Sequence, residues 1–192
     1  MCGITGAINI KNHKEISSNA LKTIEYRGLD NQDSISKKDF TFSHCLHSVV
    51  GNKQQPLEND NFIFATNCEI YNWKELHDVI NIDNTTGSDC EIIIRMYKLY
   101  GMEYTLTILD GVYAFVLYDH SKEKIFIARD AFGIRPLFYS KQKDTLIFSS
   151  EMKQIEEYAK DKPHHNIQFY PGTFSEYNWI SNGYWYGGGG YW

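Results

Sequence analysis

Cysteine is scarce in this 192-residue sequence, and its four copies are widely scattered. Cys2, Cys45, Cys68 and Cys90 form no CxxC pair and show no zinc-ligand spacing, which argues against a disulfide framework or a zinc site. The histidines show no metal-ligand spacing either, so we expect neither a metal nor a cofactor. Reduced thiols of this kind are typical of the cytoplasm, which is the location we expect.

Long apolar runs and blocks of like charge are also missing. No stretch approaches the roughly 20 apolar residues of a membrane span, and the N-terminus lacks the basic and apolar regions of a signal peptide. The net charge of −5 gives no electrostatic case for binding nucleic acid or an anionic membrane. The length predicts one domain over residues 1–180, followed at 181–192 by an aromatic and glycine-rich tail that we expect to be flexible.

The first residues carry the clearest chemical signal. Removal of Met1 leaves Cys2 with a thiol and a free α-amino group on one carbon. That amine titrates at roughly pH 7.7–8.0, so it is able to accept a proton near neutrality. A nucleophile and a base then lie in a single residue, and covalent catalysis needs no histidine partner. The alternative interpretation is an ordinary small buried cysteine.

Hydrophobic periodicity predicts strands, then helices, then hairpin strands. Asn72 with Glu75, and Ser88 with Glu91, predict capping boxes at the start of two helices. This order of elements indicates an α+β sandwich built on antiparallel sheets. The predicted strands are 3–10, a pair within 38–50, 61–66, 112–118, 124–129, 137–139, 145–149 and 172–179, and the predicted helices are 16–26, 72–80, 88–101, 102–108 and 151–158.

Eight short motifs occur in the order seen in class II glutamine amidotransferase domains. They are Cys2-Gly3-Ile4, Arg27-Gly28 with Asp30, Gln55-Pro56-Leu57, Asn67 with Glu69-Ile70-Tyr71-Asn72, Gly87-Ser88-Asp89-Cys90-Glu91, Asp110-Gly111, Arg129-Asp130 with Phe132-Gly133-Ile134-Arg135-Pro136-Leu137, and Ser150-Glu151-Met152-Lys153. Over about residues 2–180 the chain resembles the N-terminal glutaminase domain of glutamine-hydrolysing asparagine synthetase. The resemblance implies the N-terminal-nucleophile hydrolase fold, a four-layer αββα sandwich of antiparallel sheets.

The resemblance also implies a reaction, the hydrolysis of L-glutamine to glutamate and ammonia through a thioester on Cys2. The Asn67 side chain and the Cys68 N–H match the family's donors to the tetrahedral oxyanion. Glu69 and Asp89 match the acceptors for the substrate's α-amino group. We expect the nearby helix N-terminus to keep Asp89 ionised. The alternatives are that Asp89 only caps a helix and that Glu69 is a solvated loop carboxylate.

Two residues depart from the family pattern. Leu46 stands where the family has the arginine that binds the substrate α-carboxylate, and leucine cannot form that ion pair. His47, beside it, is the candidate substitute, although strand alternation would point it to the opposite face. Cys68 replaces a glycine. A positive φ there would be strained, and its side chain would crowd the Cys2 thiol.

The sequence contains no Ser-Gly-Gly-x-Asp-Ser loop of the kind that binds phosphate in the synthetase domain. We therefore expect a stand-alone glutaminase that passes ammonia to an ATP-dependent synthetase on a separate chain. The alternative is a catalytically impaired domain that acts as a ligand- or partner-binding module, and Leu46 and Cys68 favour that alternative.

Overall fold

The fold is described from a computed structural model that covers residues 1–81, 87–160, 166–179 and 185–191, with residues 179 and 185–191 described by their backbone alone. In chain order the strands are β1 (Gly3–Ile8), β2 (Asn31–Ser36), β3 (Phe40–Leu46), β4 (Leu57–Glu58), β5 (Phe62–Ile70), β6 (Gly111–Asp119), β7 (Lys124–Arg129), β8 (Phe138–Gln142), β9 (Thr145–Ser149), β10 (Ile167–Gln168), β11 (Thr173–Trp179) and β12 (Trp185–Tyr191). The helices are α1 (His13–Lys22), α2 (Trp73–Ile80), α3 (Glu91–Tyr100), α4 (Met102–Ile108) and α5 (Met152–Ala159), and a 3₁₀ turn spans Glu25–Arg27.

The strands form two antiparallel sheets. The first has the order β10-β8-β9-β1-β3-β2, and the second has the order β12-β11-β7-β6-β5-β4. β1 lies inside the first sheet, where Gly3 pairs with Cys45 of β3 and Thr5 pairs with Ser149 of β9. β5 lies inside the second sheet, where Asn67 pairs with Ala114 of β6. The residue after the N-terminal methionine is therefore held at the end of an internal strand.

The two sheets pack face to face with helices on both outer sides. The core between the sheets includes Ile4, Phe42, Ile63, Ala65 and Phe148. Helices α1 and α5 pack against each other and against the first sheet. On the other side, α3 and α4 cover the second sheet, with α2 packed at the edge of the same core. This is the four-layer αββα arrangement, and the predicted fold is confirmed.

Most predicted elements are present within a few residues of their predicted bounds. The exception is β2, because only one strand of the pair expected within 38–50 falls there and the other is the polar segment Asn31–Ser36. The capping box predicted at Asn72 and Glu75 is wrong, because the Asn72 side chain makes no cap hydrogen bond to α2. The Asn72 side chain instead donates to the Ile108 carbonyl (2.8 Å) and accepts from the Asp110 N–H (3.0 Å). α3 begins at Glu91 with Cys90 as its N-cap residue, and Gly101 ends it as expected.

The C-terminal segment contains regular structure. Residues 185–191 form an edge strand paired with β11, within the 181–192 stretch for which the sequence predicts a flexible tail. The glycines at 187–190 each oppose a residue of β11, so they extend the sheet despite the weak strand propensity of glycine. Residues 181–184 and 192 lie outside the described part of the chain. No helix in the described ranges is both long enough and apolar enough to cross a membrane.

Candidate active site

One cavity of about 250 Å³ opens where β1 begins and β3 and β5 end. Its lining contains all six residues that the sequence singles out as candidates for catalysis or binding, and Leu46 as well. These are Cys2, His47, Asn67, Cys68, Glu69 and Asp89, which come from four separate parts of the chain. No group of three or more His, Cys, Asp or Glu side chains in the described residues is arranged to hold a metal ion.

Cys2 is fixed to the end of β1 by close packing around Gly3. A Cβ at Gly3 would lie 2.4 Å from the Ile24 side chain and 2.8 Å from the Cys45 sulfur, so no larger residue fits without displacement. The Cys2 Sγ accepts a hydrogen bond from the His47 N–H at 3.3 Å and lies 3.5 Å from the His47 carbonyl oxygen. The thiol therefore has a defined position at the floor of the cavity.

The surroundings of Cys2 favour the neutral thiol. Burial raises the pKa of Cys2, and the negative charge of Asp89 adds to the rise, while the His47 N–H and the positive charge of Arg135 act in the opposite direction. The Cys2 carbonyl accepts a hydrogen bond from Arg27 Nε (3.1 Å), and Arg27 is itself paired with Glu151 at 2.9 Å. Because the pKa is raised, attack by this sulfur requires a base that accepts the thiol proton.

Asn67 carries an unused hydrogen-bond donor. Its side chain is 1% exposed, and its Nδ2 has no hydrogen-bond partner. Ile63 and Ala65, four and two residues earlier in β5, belong to the core between the sheets. Strand alternation therefore places Asn67 on the same inner face, toward the end of β1. A buried amide without a hydrogen-bond partner lowers the stability of the fold by roughly 1–3 kcal/mol. Such unpartnered groups are unusual outside functional sites.

Cys68 occupies its position without the strain that the sequence suggests. It is absent from the described non-glycine residues with positive φ, which are Asn9, Asn12, Asn81, Glu123 and Lys143. Its side chain packs against the core beneath the helices, the cluster that also contains Cys90. The expected crowding of the Cys2 thiol is therefore wrong, because residues 67 and 68 point to opposite faces of β5.

The two candidate amine acceptors differ in environment. Asp89 is 5% exposed, and its Oδ2 accepts the Ile70 N–H at 2.7 Å. Burial raises the pKa of Asp89, while hydrogen bonds from the backbone N–H groups of Ile70, Asp89 and Cys90 act in the opposite direction. Glu69 is more accessible, with 39% of its side chain exposed, and it pairs with Arg135 at 3.3 Å. Glu69 is therefore not a purely solvated loop carboxylate.

Leu46 and His47 lie next to each other in the cavity lining. Leu46 is 6% exposed and is the last residue of β3. Phe42 and His44, on the same face of β3, meet the inner core and the Thr66 carbonyl, so Leu46 also faces inward. His47 lies beyond the end of the strand, and alternation does not exclude it from the cavity. Its ring is half exposed, and its Nδ1 lies 3.8 Å from the Asp30 carboxylate.

Arg135, Lys53 and Gln55 also line the cavity, although none of them is a site residue predicted from the sequence. Arg135 stands within one of the quoted motifs, but nothing local in the sequence indicates that it meets Glu69, 66 residues away. Gln55 stabilises the cavity wall, because its Oε1 accepts a hydrogen bond from the buried Thr66 N–H at 2.9 Å.

The sequence of this chain matches known proteins along most of its length. A profile described as a glutamine amidotransferase domain matches residues 1–177. The chain belongs to this family. It is 37% identical over 166 residues to asparagine synthetase [glutamine-hydrolyzing] 2 of Bacillus subtilis, a match that covers 81% of this chain and 22% of the relative.

A second relative and a solved structure are also similar to this chain. A putative asparagine synthetase of Methanocaldococcus jannaschii is 33% identical over 183 residues, covering 81% of this chain and 33% of the relative. The chain thus spans about a quarter to a third of these relatives. The structure of glutamine phosphoribosylpyrophosphate amidotransferase from B. subtilis superposes with a TM-score of 0.81 over 97% of this chain and 49% of that one. At 18% identity this likeness shows the shared N-terminal-nucleophile fold alone.

Proposed function

We propose that this chain is a class II glutaminase domain that hydrolyses L-glutamine to glutamate and ammonia. The observation that carries the proposal is the unpartnered Nδ2 of buried Asn67, which lines the same cavity as the Cys2 thiol. A hydrogen-bond donor held ready beside a nucleophile has the arrangement needed to stabilise a tetrahedral oxyanion. The family membership and the synthetase relatives supply the substrate class.

In the proposed reaction, Met1 is first removed, so that the Cys2 α-amine becomes free. The amine accepts the thiol proton as the sulfur attacks the glutamine side-chain amide carbon. The oxyanion that forms is stabilised by the Asn67 side chain and the Cys68 N–H. When the intermediate collapses, the C–N bond breaks, the amine returns the proton to the leaving nitrogen, and ammonia departs. Water then hydrolyses the thioester and releases glutamate, restoring the thiol.

We assign binding of the substrate's α-amino group to Glu69 and Asp89. Both carboxylates line the cavity, and Asp89 is held in place by the Ile70 N–H. We place the functional domain at residues 1–180 and the reaction in the cytoplasm, where the four free cysteines would stay reduced. The ammonia would be passed to an ATP-dependent synthetase, since the relatives at 33–37% identity are named as asparagine synthetases.

The second candidate is a binding module that keeps the fold without turnover. Leu46 favours this function, because it places an apolar side chain where the family's carboxylate-binding arginine would stand. Such a protein would still bind an amino acid or a protein partner at the cavity, but its thiol would not react with glutamine.

The deciding experiment measures ammonia release from L-glutamine by protein whose N-terminus has been verified as Cys2. We expect turnover in the parent and none in Cys2→Ala, with both proteins equally folded. A glutamine-mimicking electrophile should label residue 2 stoichiometrically. If the parent releases no ammonia, or if the label reaches Cys68 or Cys90 while Cys2 stays free, the glutaminase proposal is wrong.

A further inference from the structure

The cavity lining contains two carboxylates for an amino-acid ligand's ammonium group but no cation at position 46 for its carboxylate. Glu69 and Asp89 both present carboxylates, while Leu46 supplies no charge at the position where the family pattern has arginine. Free glutamine is a zwitterion, so a site that binds it needs a cation for the α-carboxylate as well as acceptors for the ammonium group. The lining offers three basic side chains, His47, Lys53 and Arg135.

Two of these three are drawn away from the cavity. His47 is half exposed, and its nearest carboxylate is Asp30, which is not part of the lining. The Lys53 ammonium lies 3.3 Å from Glu91, which also pairs with Arg95. Glu91 and Arg95 line a neighbouring surface groove rather than the Cys2 cavity. The Lys53 side chain is therefore paired with Glu91 at the rim between the Cys2 cavity and this groove.

Arg135 is directed into the cavity and only partly engaged there. Its side chain is 12% exposed, and one terminal nitrogen lies 3.3 Å from Glu69. Its Nε is buried and has no hydrogen-bond partner. A guanidinium has five N–H donors in a planar fork. One contact at 3.3 Å to Glu69 leaves capacity for a second, anionic partner.

The backbone that carries Arg135 is rigidly held. The buried Asp130 carboxylate accepts the N–H groups of Ile134 (2.9 Å) and Arg135 (3.0 Å). The Arg135 carbonyl in turn accepts Arg129 Nε at 2.7 Å. These contacts fix the backbone position from which the Arg135 side chain reaches the cavity.

We propose that Arg135 binds the α-carboxylate of the substrate and supplies the positive charge missing at Leu46. Glu69, paired with it, takes the ammonium group on the same carbon. The opposite charges of Glu69 and Arg135, side by side, match the opposite charges of an amino-acid head group. This inference rests on the proposed glutaminase function, and it makes Arg135 the residue that selects free glutamine over glutamine within a peptide.

The test measures binding without turnover, in protein that carries Cys2→Ala and has Met1 removed. L-Glutamine and its α-carboxamide derivative are titrated by NMR against this protein and against the same protein with Arg135→Met. We expect Arg135→Met to weaken L-glutamine binding about 10- to 100-fold, as for loss of a charge-assisted hydrogen bond. Binding of the α-carboxamide should change less than threefold, because it has no carboxylate to lose.

Two matched variants complete the design. Lys53→Met removes a neighbouring cation and should leave L-glutamine affinity within about twofold. Arg135→Lys keeps the charge but not the fork, and should restore part of the affinity. Thermal unfolding of each variant shows whether the fold is intact.

The outcomes separate the two proposals. If Cys2→Ala binds L-glutamine and Arg135→Met binds it equally well, Arg135 is not the clamp, while the glutaminase function stands. Equal losses for L-glutamine and its α-carboxamide also overturn the clamp, because the effect is then structural. If Cys2→Ala binds neither compound, both the clamp and the glutaminase function are overturned.

Discussion

Replacing Asn67 by alanine should reduce catalysis strongly and leave the fold as stable as before. Removal of one preorganised oxyanion donor costs about 100- to 1,000-fold in kcat, or roughly 3–4 kcal/mol of transition-state stabilisation. The Michaelis constant for glutamine should change little, since the donor acts on charge that develops only in the transition state. Asn67→Asp should be at least as damaging, because it places an acceptor where a donor is needed.

The stability side of this prediction follows from the unpartnered Nδ2. An amide buried without a partner destabilises the folded state by roughly 1–3 kcal/mol, and Asn67→Ala removes that cost. Truncation also removes packing contacts of the Asn67 side chain, an opposing loss on the order of 1 kcal/mol. The net change in the free energy of unfolding should therefore be within about 1 kcal/mol of zero, or favourable.

Gln55→Ala provides the matched contrast in the same cavity wall. Gln55 is 5% exposed, and its Oε1 accepts the buried Thr66 N–H at 2.9 Å, so its loss leaves that N–H unpaired. We expect Gln55→Ala to lower the free energy of unfolding by about 1–3 kcal/mol. The assays are urea unfolding and ammonia release for both variants. If Asn67→Ala is as destabilised as Gln55→Ala, or loses less than about fivefold in kcat, Asn67 is not a donor held in reserve for the oxyanion.

Three further predictions concern the N-terminus, acid stability and the Arg135 loop. An N-terminal tag that retains Met1 should abolish ammonia release, because the Cys2 nitrogen stays a peptide nitrogen; full activity in mass-verified tagged protein would exclude the α-amine as the base. Burial lowers the pKa of His44 to about 4, against about 6.5 in the unfolded chain. As the pH falls from 6.5 to 4, the unfolded state therefore binds a proton before the folded state does, and the free energy of unfolding falls by up to about 3 kcal/mol. Urea unfolding across this range should show a free energy of unfolding that depends less on pH in His44→Gln. Asp130→Ala deprives four backbone N–H groups of their acceptor and should lower the free energy of unfolding by at least about 2 kcal/mol, whereas an unchanged urea midpoint would contradict this role.

The sequence predicts most of the fold because the buried strands have distinctive local patterns. β6 is an almost continuous apolar run, as expected of a strand covered on both faces, and it lies inside the second sheet. β2 has no such pattern, since its residues are mostly polar and it lies at the edge of the first sheet. The capping box predicted at Asn72 fails for a long-range reason, because the Asn72 side chain bonds residues more than 35 positions away. Local spacing contains no information about such partners.

The candidate site, like the fold, is predicted from the sequence only in part. Motifs in one sequence locate Cys2, Asn67 and Asp89, and the fold brings them to one cavity. The position of Arg135 against Glu69 depends on how the loop after β7 meets the end of β5, which periodicity does not encode. The burial that raises the pKa of Asp89 is likewise outside the reach of a local motif, because a group's desolvation depends on the three-dimensional packing around it.

The two departures from the family pattern differ in consequence because of the faces they occupy. On β5, period-two alternation sends residue 68 outward to the core beneath the helices and residue 67 inward to the cavity. A cysteine at position 68 therefore adds apolar packing on the far side of the sheet, while its N–H, the part that the oxyanion would use, is the same as that of glycine. On β3, the same alternation points Leu46 inward, where the side chain itself is the functional group. Under the proposed glutaminase function, only the residue at 46 removes a functional side chain from the cavity, so the charge for the substrate α-carboxylate has to come from another element of the fold.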